Sequence, residues 1–240
     1  MNKTEDFICE RGQSICFKIG SVFRKYHKYY DETVGIFENK IATELLRNNI
    51  NTPEPLGFGF SKDRQMSYTD FRFHRIKKIN PYELDSNLLK ISIELLDKFP
   101  ANIYCCESWG NRYLPELYQQ IDSGQIKQKA EAKAILDYLK LYPERTFIHG
   151  DYSFENIGID IDSNKIIVFD FIDSCIGIKD WDIAYLLGSI HYEKVPITYL
   201  TNHILKMIKL ITAIKYIRGL RKNLEVPERK ANYEYWWQQN

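Results

Sequence analysis

Between residues 7 and 30 apolar and polar side chains alternate in short runs: Phe7-Ile8-Cys9, Ile15-Cys16-Phe17-Lys18-Ile19 and Val22 through Tyr26. The turn-forming stretches Arg11-Gly12-Gln13-Ser14 and Gly20-Ser21 separate them. A period of two broken by glycine turns predicts an antiparallel meander, because successive strand side chains point to opposite faces. From Thr33 the period changes. Ile36, Phe37, Ile41, Leu45 and Leu46 then fall on one helical face until Asn48-Asn49 ends it. The turn-rich Asn51-Thr52-Pro53-Glu54-Pro55 leads to a second strand pair, Leu56 to Phe60 and Met66 to Ile76, joined by Ser61-Lys62-Asp63-Arg64.

After Asn80-Pro81 the pattern becomes mainly helical. Leu84, Leu88, Ile91, Leu95 and Leu96 recur at spacings of three and four. A second helical stretch runs from Ile126 to Leu141, stopped by Pro143. A long third one starts at Pro196, with Leu200, Ile204, Ile208, Ile211 and Ile214 on one face. One β-rich segment interrupts the helices: Phe147-Ile148, Ile157 to Ile161 and Lys165 to Phe171, with Asp162-Ser163-Asn164 as a hairpin turn. The expected fold class is α+β. Residues 1–78 form a small lobe of antiparallel strands plus one helix, and residues 79–240 a larger, mainly helical lobe containing a β-hairpin.

Composition narrows the partners. With 33 Lys+Arg against 32 Asp+Glu, the formal charge of +1 provides no field to draw nucleic acid or an anionic membrane. Hydrophobic residues at 44% and aromatics at 14% suffice for a core, which excludes a disordered chain. The five cysteines (Cys9, Cys16, Cys105, Cys106, Cys175) are odd in number and lack C-x-x-C spacing, so reduced thiols in a cytoplasmic protein are expected. Acidic residues stand in the first twelve positions where a signal peptide would be apolar, and no run approaches a membrane span of about 20 apolar residues.

Chemistry concentrates in Phe147-Ile148-His149-Gly150-Asp151-Tyr152-Ser153-Phe154-Glu155-Asn156 and in Ile166-Ile167-Val168-Phe169-Asp170-Phe171. Both put polar residues at the ends of apolar strand-like runs, where a scaffold can aim side chains into a cleft. Asp151, Asn156 and Asp170 supply two carboxylates and an amide oxygen, hard ligands suited to Mg²⁺ with room left for phosphates. The pattern suggests phosphoryl transfer, with one Asp accepting a proton from an attacking hydroxyl while Asn and the other Asp hold metal. A rival reading makes His149, Asp151, Asp170 and Asp173 a hydrolytic metal site, but no second His falls at ligand spacing.

His149-Gly150-Asp151-x4-Asn156 followed by Val168-Phe169-Asp170-Phe171 resembles the H-G-D-x4-N and I-D-F motifs of aminoglycoside phosphotransferases and their choline-kinase-like relatives. Gly177-Ile178-Lys179-Asp180-Trp181-Asp182-Ile183-Ala184 is similar to the segment that opens a helix bracing the catalytic loop there. Phe37-Glu38-Asn39-Lys40-Ile41-Ala42 and the Pro53-Glu54-Pro55-Leu56-Gly57 entry are similar to that family's first helix and next strand. The resemblance spans residues 7–190 and is strongest over 147–184; the last 50 or so residues match by helical character only. It implies a bilobal protein-kinase-like fold whose larger lobe carries a catalytic β-hairpin. It also implies an ATP- and Mg²⁺-dependent kinase acting on a hydroxyl of a small molecule, of aminoglycoside, sugar or amino-alcohol type. The roles it implies are Asp151 as catalytic base, with His149 bracing its loop; Asn156 and Asp170 on the metal; and Glu38 paired with a strand lysine at the nucleotide phosphates. That cation is Lys25 if Val22-Phe23-Arg24-Lys25-Tyr26 turns it inward, and Arg24 if the register slips by one. Lys18 is the third possibility. In the first register Arg24 faces solvent. The first turn has one glycine rather than G-x-G-x-x-G, a departure from protein kinases. A kinase of protein or glycan, and a non-catalytic nucleotide-binding module, share this fold, and fold alone does not choose among them.

Overall fold

The structure is a computed structural model that describes residues 6–11, 14–28, 33–61, 65–81, 84–104, 106–112, 114–124, 126–142, 145–221 and 227–239. The turn glycine Gly12, the turn residues Lys62 to Arg64, the helix stop Pro143 and Cys105 lie outside the described residues. In chain order the elements are β1 (Asp6–Arg11), β2 (Ser14–Ile19), β3 (Val22–His27), α1 (Val34–Arg47), β4 (Pro55–Phe60), β5 (Ser67–Arg72), β6 (Ile76–Lys78), α2 (Ser86–Leu96), α3 (Trp109–Arg112), α4 (Leu114–Ser123), α5 (Lys129–Lys140), β7 (Thr146–Ile148), β8 (Ile157–Asp160), β9 (Lys165–Val168), β10 (Cys175–Gly177), α6 (Asp180–Leu187), α7 (Asn202–Arg221) and α8 (Pro227–Gln238). They fall into two compact units.

The first unit comprises Met1–Ile79, Lys98–Cys105 and Glu155–Asp173. Its main sheet is antiparallel in the order β1-β2-β3-β5-β4, of which β1-β2-β3 is the meander that the alternating runs predict. One rung runs Cys9, Cys16, Lys25, Thr69, Phe58 across all five strands and sets those side chains on one face. α1 packs against β3, β4 and β5 and buries Val34, Glu38, Ile41, Ala42 and Leu45. It ends where the asparagines predict. Asn49 takes the left-handed conformation (φ 60°). Its N–H bonds to Leu46 O, and that of Ile50 to Leu45 O, satisfying carbonyls that a helix end leaves open.

The run Met66 to Ile76, expected as one strand, is two. β5 stays in the main sheet, while β6 leaves it to pair antiparallel with β8, forming a second sheet, β6-β8-β9. The break falls where the Phe73 N–H turns to Ser21 O and the Arg75 carbonyl accepts from Ile161 N. The β8–β9 hairpin has Asn164 at φ 54° and is closed by Asp160, whose side chain accepts from Ser163 Oγ at 2.6 Å. This hairpin, read from sequence as part of the second lobe, groups with the first unit.

The second unit comprises Asn80–Asp97, Cys106–Phe154 and Ser174–Asn240. Its core is built from α2 through α8 around Leu117, Leu136, Leu139, Trp109, Trp181, Met207 and Leu210, all buried. Trp109 and Trp181 meet edge to face at 5.3 Å. The helix expected from Pro196 begins later: Ile197–Tyr199 form a single 3-10 turn before α7. The C-terminal α8 docks on α7, with Trp236 buried and Trp237 Nε1 donating to Lys209 O at 2.9 Å. Among the described residues no helix is long and apolar enough to cross a membrane.

Candidate functional site

The site residues divide between the two units. Lys25, Glu38, Asn156 and Asp170 belong to the first; His149 and Asp151 belong to the second.

In the first unit the strand register answers the question that alternation leaves open. Lys25 turns to the face covered by α1, where its Nζ donates to Glu38 Oε1 at 2.8 Å and to Asp170 Oδ1 at 2.6 Å. Glu38 is buried one turn into α1, and the Phe171 backbone N–H also donates to it. Burial alone would push the Lys25 ammonium down, but the Asp170 and Glu38 carboxylates more than offset this and hold it above the usual lysine value. Burial pushes the Glu38 carboxyl up, and Lys25 opposes the shift. Lys25 is therefore a buried cation held by two carboxylates from distant parts of the chain.

Arg24 points to the other face. Its Nε and Nη2 both bond the Asp70 carboxylate at 2.7 Å, and its guanidinium lies 3.9 Å from the Tyr68 ring centroid. It is thus not simply solvent-facing as expected but locked into a surface pair. Lys18 sits over the Phe73 ring at 4.6 Å.

Asp170 follows β9 in the left-handed region (φ 69°), a conformation that costs energy for any residue but glycine and that gathers at functional sites. The approach to it is pinned, since Val168 N donates to Asn51 O at 3.0 Å and Asn51 Nδ2 to Ile166 O at 2.9 Å. The Asp170 side chain remains 42% exposed although Lys25 holds one oxygen. Asn156 is buried at the start of the hairpin, its carbonyl accepting from Phe169 N at 3.0 Å. Among the described residues no three His, Cys, Asp or Glu side chains gather to hold a metal ion. A carboxylate with exposed surface and an amide oxygen nevertheless fit Mg²⁺, which takes one or two protein oxygens and completes its shell with water and phosphate.

In the second unit β7 delivers the His149-Gly150-Asp151 loop. Asp182, in the first turn of α6, accepts from His149 N at 2.6 Å and from Gly150 N at 3.0 Å. Trp181 Nε1 donates to Gly150 O at 3.2 Å, and Ser174 Oγ to His149 O at 3.2 Å. His149 itself is fully buried, and its Nδ1 accepts from Asp151 N at 3.4 Å. Gly150 has φ 84°, which only glycine adopts without strain. The Tyr152 hydroxyl donates to Ser92 O at 2.8 Å, tying the far side of the loop to α2. Burial pushes Asp182 up to about 7, opposed by its two backbone donors and assisted by the Asp151 charge. The motif reading places a bracing helix here but not this double bond from one carboxylate. β10, which pairs with β7, also escaped the sequence reading.

Comparison with known proteins places the fold. The model of the phosphotransferase enzyme family matches residues 22–203. Among solved structures, an amicoumacin kinase in complex with AMP-PNP, Ca²⁺ and amicoumacin superposes at TM-score 0.72 with 13% identity, covering 98% of this chain and 87% of that one. The APH(2")-IIIa complex with GDP and kanamycin gives TM-score 0.67 at 14% identity, with 98% and 92% covered. A putative fructosamine-3-kinase from Haemophilus somnus 129PT gives 0.67 at 16% identity, with 98% and 90% covered. At such identities these three establish the fold, a protein-kinase-like one. The comparison with curated proteins returned no match.

Proposed function

Since this chain belongs to the phosphotransferase enzyme family, we propose that it is an ATP-dependent small-molecule kinase that moves the γ-phosphoryl group to a hydroxyl of an aminoglycoside, sugar or amino-alcohol. The observation that carries this reading is the buried Lys25 ammonium, held between Glu38 and Asp170 at 2.8 and 2.6 Å. A charged lysine kept in place by two carboxylates suits phosphate oxygens, which can replace one of its partners without leaving a buried charge unpaired. Residues 1–78 would cover the nucleotide, and residues 79–240 would provide the catalytic loop, the metal ligands and the acceptor pocket.

In this reading Lys25 binds the α- and β-phosphates and Glu38 orients Lys25. Asn156 and Asp170 would hold Mg²⁺, which when bound offsets phosphate charge and favours in-line transfer. Asp151 orients the acceptor hydroxyl and takes its proton on a carboxylate oxygen, while His149, buried and bonded within the loop, keeps Asp151 in position. The nucleotide ligands named for the solved relatives, AMP-PNP and GDP, support nucleotide use, and kanamycin and amicoumacin support a small acceptor. A net charge of +1 favours such an acceptor over a polyanion. We place the protein in the cytoplasm, where Mg·ATP is abundant and free thiols such as Cys16 and Cys175 stay reduced.

The test is a panel of aminoglycosides, sugars and amino-alcohols scored for ADP release with Mg·ATP. At least one compound should be phosphorylated. With that acceptor, Asp151→Asn should lower kcat by about 10² or more while nucleotide affinity stays nearly intact. Asp170→Asn should weaken Mg·ATP binding and all but abolish turnover. Mg·ATP binding without turnover across the panel would point to a nucleotide-binding module, and unchanged turnover in Asp151→Asn would remove it from the catalytic role.

A further inference from the structure

Two residues beyond Lys25 on the same strand face lies His27, fully buried and unused by the chemistry above. Its Nε2 is 3.2 Å from Thr69 Oγ1 and 3.4 Å from Glu38 Oε2. The tautomer follows from proton counting. Thr69 has one hydroxyl proton, and its Oγ1 donates that to Gly35 O at 3.2 Å. Towards His27 the hydroxyl can therefore only accept, so Nε2 carries a proton. Nε2 also lies beside, without bonding it, the oxygen of Glu38 that Lys25 does not hold. Burial and the Lys25 charge push the imidazole down to about 3, so the ring is neutral and this is its only ring N–H. Gly35 belongs to the first turn of α1, and a Cβ there would come within 2.7 Å of Tyr68 O, so the turn lies directly on β5.

We propose that His27 and Thr69 are positioning residues for Lys25: a one-way hydrogen-bond chain, from His27 Nε2–H to Thr69 Oγ1 and on to Gly35 O, docks the first turn of α1, and with it Glu38, on the sheet. The proposal rests on the reading of Lys25 as the phosphate-binding cation. The chain crosses from β3 through β5 to the backbone of α1, one turn before the buried Glu38. Without it, Glu38 keeps its charge partner but the helix turn that carries it loses a tie to the sheet, and Lys25 inherits the looseness.

Isosteric variants separate this from plain packing. A glutamine amide nitrogen reaches the place of Nε2, whereas an asparagine amide nitrogen reaches that of Nδ1. With Mg·ATP as the calorimetric probe, His27→Asn should weaken binding about tenfold, the scale of one lost buried hydrogen bond, and His27→Gln should recover most of it. Thr69→Val should follow His27→Asn, and Thr69→Ser should follow the wild type. In a Lys25→Ala background the His27→Asn effect should vanish, because the interaction it supports is gone. Equal binding losses in His27→Asn and His27→Gln, or none in either, would overturn the proposal while a large Lys25→Ala effect kept the Lys25 reading intact. No effect of Lys25→Ala itself would instead sink that reading. The wild type offers a check free of folding defects: ¹⁵N-resolved NMR should find the His27 ring neutral and protonated at Nε2 from about pH 5 to about pH 8. An Nδ1–H tautomer would refute the chain outright.

Discussion

Arg24 and Lys25 are adjacent cations on one strand, and the structure gives them unlike surroundings because their faces differ. Lys25 is enclosed with two carboxylates, whereas Arg24 makes a bidentate pair with Asp70 at 2.7 Å on the opposite face. Lys25→Ala should therefore raise the KM for ATP about tenfold or more and lower kcat, the loss expected when a charge-assisted bond to phosphate is removed. Arg24→Ala should leave both within about twofold and cost about 1 kcal/mol of stability, the scale of a well-formed, partly exposed ion pair. Steady-state kinetics with chemical denaturation of each variant checks the pair of outcomes. A KM effect confined to Arg24→Ala would reverse the assignment. Local alternation was silent on this point, since it permits either residue to face inward.

At the scale of elements, the α6 N-terminus and the His149-Gly150-Asp151 loop are joined through one buried carboxylate. Asp182 takes both the His149 and Gly150 N–H groups, and burial raises it from 3.8 to about 7. An acid whose pKa is higher folded than unfolded binds protons on folding. Its contribution to stability is thus fully present below pH 3.8 and is lost as pH rises to about 7. Asparagine keeps one acceptor oxygen but sets an N–H against the other backbone donor and does not titrate. Asp182→Asn should be less stable than wild type, and the gap should narrow between about pH 4 and about pH 7, then level off. Urea unfolding of both proteins across that range measures the gap. A constant gap would mean that Asp182 ionises like an exposed aspartate. The D-x-A spacing marks a helix start here, but the shift itself needs the burial that only packing supplies.

For the whole molecule, the four residues we assign to nucleotide and metal lie in the first unit, and all four tryptophans (Trp109, Trp181, Trp236, Trp237) lie in the second. Mg·ATP at about 100 times its Kd should stabilise the binding-competent state by roughly 2.7 kcal/mol. For a chain of 240 residues that amounts to a rise of roughly 5–10 °C in Tm. Calorimetry should record the rise in wild type and little or none in Asp170→Asn. An equal rise in both would remove Asp170 from the nucleotide site. Tryptophan emission recorded alongside follows unfolding of the second unit, so the two signals report whether a single transition describes the chain.

Short-range pattern was sufficient for most of the elements. His149, Asp151, Asn156 and Asp170 stand out in the sequence because polar residues end apolar strand-like runs there, and the structure does set them at the ends of β7, β8 and β9. The Asn48-Asn49 stop reads equally well, because asparagine tolerates the left-handed turn found at Asn49 (φ 60°). What escaped depends on partners far along the chain. β6 parts from β5 because its hydrogen bonds go to β8, and β10 has only three residues, too few to show a period. The inward turn of Lys25 was decided by Glu38 on α1 and Asp170 after β9, and the proton on His27 by the single hydroxyl of Thr69. Residue type and spacing determine which groups are present and which elements they sit on. Burial and long-range hydrogen bonding determine which of those groups meet and in which protonation state, because both depend on the solvent that only the folded chain excludes.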